Sequence, residues 1–289
     1  MNVNAKKLGI IVLILSLLAC SVFAGELREL SVLAPERKIG MLALLNTTEK
    51  EFQEESRRSI NDTFFTVSER YGIIPVFYDS LTAMQMALNA GDVDEIVLPE
   101  AVAEYVMNVN DNYKIASIIR FLKEQPLMLA FGFRKDDEFT LRNKFNEALL
   151  SMKADGTLAV IKNKYIDEPG IGEPEPVKFN LYQNSDKIRV AVTGDLPPID
   201  FIAADGTPAG FNTAVLSELG KRLHVNIELV NIEANARAAS LASKRVDAVF
   251  WMQVLKGETK QLDVPEGIAL SEPYYEWDEQ LFIKLKDKK

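Results

Sequence analysis

Arg189-Val190-Ala191-Val192-Thr193-Gly194-Asp195-Leu196-Pro197-Pro198-Ile199-Asp200-Phe201, followed shortly by Ala204-Asp205-Gly206-Thr207-Pro208-Ala209-Gly210-Phe211-Asn212, is the stretch that decides the fold. An apolar strand enters a Pro-Pro turn, a second turn forms around Asp205-Gly206, and an amphipathic helix then runs to Leu223. Farther on, Arg245-Val246-Asp247-Ala248-Val249-Phe250 carries a polar turn into another apolar strand, and Leu270-Ser271-Glu272-Pro273-Tyr274-Tyr275 completes the set. Strands that alternate with helices predict α/β architecture with largely parallel sheets.

The same alternation extends towards the amino terminus. Strands are expected at Ile39 to Leu44, Ile74 to Tyr78, Glu95 to Leu98, Leu127 to Phe133, Ile188 to Thr193, Asn226 to Val230 and Ala248 to Trp251. Leu141, Phe145, Leu149 and Met152 recur at helical spacing, with Asp155-Gly156 as the stop. Between Asp167 and Asp186 the periodicity fails: Glu168-Pro169-Gly170, Glu173-Pro174-Glu175-Pro176 and Asn184-Ser185-Asp186 read as a linker. The chain therefore divides into residues 25–166 and 187–289, joined by residues 167–186. Ala87 to Asp94 and Ser240 to Asp247 echo one another across this boundary, each a helix end, a polar turn and Val-Asp before an apolar strand.

Composition narrows the chemistry. The 289 residues are 47% hydrophobic and 26% charged, enough for a substantial core. One cysteine excludes an internal disulfide, and with one histidine it excludes a Cys/His zinc site. The balance of 33 basic against 42 acidic residues gives a net charge of −9 and argues against a nucleic-acid partner. No phosphate loop, no dinucleotide fingerprint and no cofactor signature is present. His224, beside Lys221 and Arg222, reads as a helix terminus or a solvent-facing residue rather than a base.

Residues 1–24 have the layout of a secretory signal peptide: Lys6 and Lys7, an apolar run from Leu8 to Ala19, then small residues. The run is shorter than the roughly 20 residues that a membrane-spanning helix needs. Val22-Phe23-Ala24 before Gly25 fits ordinary signal-peptidase cleavage, and Leu17-Leu18-Ala19-Cys20 offers the competing lipobox route, with lipidation of Cys20. Removing Lys6 and Lys7 leaves 31 basic against 42 acidic residues, a mature charge of −11. The expected product is periplasmic, or a membrane-anchored lipoprotein if Cys20 is lipidated.

The ordered motifs from Ile188 to Tyr275 resemble the first lobe of the amino-acid-binding family of bacterial periplasmic solute-binding proteins. That family's pattern is a strand, a Pro-Pro turn, D-G-x-x-x-G-F before a helix, a V-D-strand and F-S-x-P-Y-Y. Lys38-Ile39-Gly40-Met41-Leu42, Pro75 to Tyr105, and Phe131 to Asp137 with the helix through Lys153 and on to Lys164-Tyr165 resemble the second lobe and the closing helices. The resemblance implies a two-lobed α/β clamshell of the periplasmic-binding-protein type, each lobe a mostly parallel sheet flanked by helices. The lobes stand in reversed order. Circular permutation is the expected cause, with residues 167–186 joining the old termini and Glu279 to Lys289 at a hinge crossing; a remnant of a tandem array is the alternative.

What the resemblance implies for function is a monomeric, non-enzymatic component of an ABC importer, holding a small solute between its lobes for a permease. A ligand-sensing clamshell without transport is the alternative, and a dehydratase-like enzyme a minor one. Family members hold amino acids with an aromatic before the Pro-x turn, an arginine in T-x-E-R and a second-lobe aspartate; here Leu196, Thr259 and Pro99 stand at those positions. Candidate ligand-binding residues are Asp195, Leu196, Trp251, Met252 and Gln253 on one wall and Asn46, Thr47 and Glu100 on the other. The alternative readings are Trp251 as core at the end of a strand, Glu100 as a helix start and Asn46-Thr47 as a helix cap.

Overall fold

The computed structural model describes residues 36–42, 73–120, 127–136, 140–169, 172–233, 236–255, 264–277 and 279–286. Residues 1–24 with Cys20, the candidates Asn46 and Thr47, and Thr259 lie outside these residues.

The amino-terminal lobe is built on β1 (Arg37–Leu42), β2 (Ile73–Tyr78), β3 (Glu95–Pro99) and β4 (Tyr113–Arg120). Helix α1 (Leu81–Ala90) follows β2, and α2 (Glu100–Val109) follows β3. Local chemistry sets the bounds of α1. Ser80 Oγ accepts from the Ala83 amide at 3.1 Å, and Gly91, with φ of 82°, turns the chain back onto the carbonyls of Ala87 and Leu88. Leu81, Met84, Ala87 and Leu88 form the buried stripe of α1, which packs on the sheet. β3 is buried along its whole length, as expected of a central strand covered on both faces.

The carboxy-terminal lobe uses β5 (Leu127–Arg134), β6 (Lys187–Val192), β10 (Asn226–Asn231), β11 (Ala248–Leu255), β12 (Ile268–Leu270) and β13 (Tyr275–Trp277). A small antiparallel sheet of β7 (Asp195–Leu196), β8 (Asp200–Ile202) and β9 (Pro208–Ala209) lies between β6 and helix α5 (Phe211–Leu223). Helices α3 (Thr140–Ala154) and α4 (Thr157–Lys162) pack on this lobe, with Phe145, Ala148, Leu149 and Met152 buried. Arg222 of α5 ties them down, reaching Ser151 Oγ, Asp155 Oδ2 and Thr157 Oγ1 at 2.7, 2.8 and 2.9 Å. Hydrogen bonds from the Thr157 hydroxyl and amide, and then from Arg222, hold the Asp155 carboxyl at a pKa of about 2.

The two large sheets share one strand order. The first runs β2-β1-β3-β14-β4, with β14 (Glu279–Leu285) as its inserted strand, and the second β10-β6-β11-β5-β12. In the first, β14 lies antiparallel to β3 and β4; in the second, β5 lies antiparallel to β11 and β12. Each lobe therefore receives its one reversed strand from the opposite half of the chain.

The Val-Asp echo has a physical basis in this arrangement. The Asp94 amide donates to Lys38 O at 2.8 Å while Asp94 Oδ2 accepts from the Lys38 amide at 2.7 Å. Asp247 repeats the pattern on Arg189, at 2.8 and 2.9 Å. In both lobes the aspartate registers the incoming strand against the first one. Burial pushes Asp247 up, but the hydrogen bonds and charge of Arg189 outweigh it and hold the carboxyl below its usual range.

The connecting segment differs in character from a free spacer. Residues 172–186 contain no helix or strand longer than a single bridge, Pro176 to Ala209, yet they are fastened along the carboxy-terminal lobe. The Val177 amide donates to Pro208 O, Ser217 Oγ to Lys178 O, and the Tyr182 amide to Asn226 Oδ1 at 2.9 Å. His224 is the left-handed carboxyl cap of α5, exposed, with its ring 4.0 Å from that of Tyr182.

Candidate functional site between the lobes

The chain passes between the sheets twice, from β4 to β5 and from β13 to β14. The loop after β6 meets the start of α1, the helix that follows β2. The carboxyl ends of the parallel strands in the two lobes therefore face one another, the placement in which open α/β sheets present ligand-binding groups.

Asp195 stands at that meeting point. Its Oδ2 lies 3.5 Å from the Thr82 amide in the first turn of α1. Burial raises the carboxyl's pKa, the amides of Thr82 and Leu81 pull it down, Asp200 pushes it up and Arg237 lowers it. An acid held in this way is kept at a cost, as functional carboxylates often are. Leu196, by contrast, is 3% exposed and belongs to the main hydrophobic cluster, so core packing accounts for its apolar character. The turn behind it contains a cis peptide between Pro197 and Pro198. Gly210 follows with φ of 96°; a Cβ there would come within 2.7 Å of Pro198 O, so only glycine fits between this turn and α5.

Trp251, Met252 and Gln253 lie on β11, whose register against β5 shifts between Val249 and Met252; Met252 then pairs Ala130 and Gln253 pairs Leu129. Glu100 is the first residue of α2, directly after Pro99 at the carboxyl end of β3. A carboxylate in this first turn suits the positive end of the helix dipole.

One residue of the site escaped the sequence reading. Arg237, the first residue of α6 (Arg237–Ala242), is 2% exposed and donates from Nε to Ile232 O at 3.2 Å and from Nη1 to Phe250 O at 3.1 Å. It ties β11 at Phe250 to the loop after β10 and places a cation within electrostatic reach of Asp195. The only sequence signal was a lone arginine in the otherwise small and apolar run Arg237-Ala238-Ala239-Ser240-Leu241-Ala242. Among the described residues no group of three or more His, Cys, Asp or Glu could hold a metal ion, and no helix is long and apolar enough to cross a membrane.

Residues 188–289 match the model of the bacterial extracellular solute-binding proteins, family 3. The matched stretch is the carboxy-terminal unit. L-cystine-binding protein TcyJ of Escherichia coli K12 is 27% identical to the chain over 115 residues, 40% of this chain and 41% of that protein. The chain thus aligns with less than half the length of this curated family relative. Among solved structures, the methionine-binding protein MetQ is similar over 87% of this chain and 84% of its own, at 14% identity and a TM-score of 0.39. The ligand-binding component of an ABC-type import system from Staphylococcus aureus, with zinc bound, covers 87% and 66%, at 12% identity and a TM-score of 0.41.

Proposed function

We propose that the chain is an exported solute-binding component of an ABC importer, capturing a small polar solute between its lobes and presenting the bound form to a permease. The observation that carries this reading is the match of residues 188–289 to the family model, in a chain whose amino-terminal half supplies a second sheet of the same strand order. Two chain crossings between sheets suit a hinge, and hinge closure converts binding into a shape that a permease can recognise. The solute wall is formed by Asp195 and the Trp251–Gln253 segment with Glu100 opposite, and the lobes are those of one circularly permuted, monomeric clamshell. No catalytic step is assigned. The departures at Leu196, Thr259 and Pro99 favour a second reading, a sensor that uses the same closure without delivering cargo.

The test is thermal-shift and native mass-spectrometric screening of mature protein against amino acids, small peptides and organic acids. A retained or stabilising solute whose binding weakens in Trp251→Ala supports the proposal. No shift and no bound mass across the panel would remove its main support. Growth of a deletion strain on the identified solute then separates transport from sensing.

A further inference from the structure

Behind the loop from Thr193 to Leu196 lies a set of buried polar side chains that solute capture does not use. Asp200 in β8 is 1% exposed, Asn212 in the first turn of α5 is 1% exposed, and Tyr274 just before β13 is 4% exposed. One oxygen of Asp200 is fully engaged: Oδ2 accepts from the Thr193 amide at 2.8 Å, Thr193 Oγ1 at 2.6 Å and the Gly194 amide at 3.0 Å. Asp200 Oδ1, Asn212 Oδ1 and Nδ2, and the Tyr274 hydroxyl have no hydrogen-bond partner among the described residues.

These groups share one neighbourhood. The Asn212 amide donates to Ile199 O, next to Asp200, at 2.9 Å. The ring of Phe211, adjacent to Asn212, stacks on Tyr274 with centroids 6.2 Å apart. Burial first, and then the charge of Asp200, push the Tyr274 phenol well above its ordinary pKa.

A buried polar atom without a partner forfeits its hydration, and native interiors rarely leave one so. Four such atoms belong to this neighbourhood, two of them pure acceptors, one an amide donor and one a hydroxyl that can do either. That mixture suits water, which donates twice and accepts twice; a metal ion would use the oxygens and leave the Asn212 amide nitrogen facing a like charge. We propose that Asp200 Oδ1, the Asn212 amide and the Tyr274 hydroxyl enclose a structural water site, and that this site holds Asp200 in place to fix the Thr193–Leu196 wall of the cleft. The site fixes the wall whether or not a solute binds, so it stands or falls separately from the transport reading.

A crystal structure of the mature protein at about 1.5 Å resolution tests the first part. The expected result is a density peak at about 2.7–3.1 Å from at least three of the four atoms. A dry site, direct hydrogen bonds among the three side chains, or a peak at the roughly 2.3–2.5 Å of a coordinated cation would each overturn it. Tyr274→Phe, which removes only the hydroxyl, tests the second part by hydrogen exchange. Amide exchange at Gly194 is expected to rise about tenfold, the scale of one lost hydrogen bond, while exchange in the distant helix α2 stays unchanged. Unchanged exchange at Gly194 would refute the positioning role. Should Tyr274→Phe fold poorly, Asn212→Leu offers the same readout.

Discussion

Asp195→Asn isolates the electrostatics of the interlobe contact, because it keeps the shape of the side chain and removes its charge. Burial raises the pKa of this carboxyl, so folding favours its neutral form more than the unfolded chain does. In sign, this contribution is the reverse of a salt-bridged aspartate. Below the ordinary carboxylate range wild type and variant carry the same charge at this position and should be equally stable; as pH rises through that range, ionisation costs wild type stability that the asparagine does not lose. Withdrawing a carboxylate from water costs several kcal/mol when burial is complete, and Asp195 is only partly buried. The first turn of α1 returns about 0.3–1 kcal/mol, and the 3.5 Å separation from the Thr82 amide places the return at the low end. A net cost on the order of 1 kcal/mol at pH 7 follows, so Asp195→Asn should melt about 2–4 °C higher than wild type for a protein of this size. Differential scanning calorimetry at pH 7 and pH 3 reads both halves, and the gap should close at the lower pH. A variant that melts below wild type at pH 7, or a gap that persists undiminished at pH 3, would refute the reasoning. If the charge is retained for solute capture, the stabilised variant should also bind its solute more weakly, a common exchange of stability for function.

Asp247→Asn acts with the opposite sign. The lowered pKa of Asp247 marks stability that is present above the ordinary carboxylate pKa and lost as pH falls through the depressed one, so the variant should lose about 1–3 kcal/mol in urea titrations at pH 7 and match wild type more closely in acid. Gly210→Ala places a Cβ against Pro198 O at a φ that L-residues avoid, and denaturant unfolding should show a loss of about 2 kcal/mol or more with an unchanged m-value.

What the sequence made legible was local. The strand-turn-helix order around Asp195 to Leu223 and the paired Val-Asp motifs could be read because each depends on neighbours a few residues apart, and Asp94 and Asp247 then do the same work in both lobes. β4 was missed because Tyr113 and Ile118 contribute to the core while Ile115 is exposed, a mixture without a clean period that only its pairing with β14 resolves. The residues from 172 to 186 have the composition of a spacer; their attachment depends on Pro208, Ser217 and Asn226, far along the chain. Burial of Arg237 was invisible for the same reason, since the carbonyls of Ile232 and Phe250 that satisfy it come together only in the fold.

The strand exchange bears on both stability and motion. Without β14 the first sheet loses the strand that joins β4 to β3, and without β5 the second loses the strand that β12 and β13 pair with among the described residues. Neither half of the chain carries a complete sheet, so the two lobes cannot be independent domains strung in sequence. The order in which the halves occur along the chain matters little to such a structure, because the pairings that complete each core are unchanged when the chain is cut at a crossing and rejoined elsewhere. The same two strands also end at the crossings between lobes. They are set deep in both sheets, and the same architecture brings Asp195 against the start of α1, so the contact between lobes and the completion of each sheet depend on the same pairings.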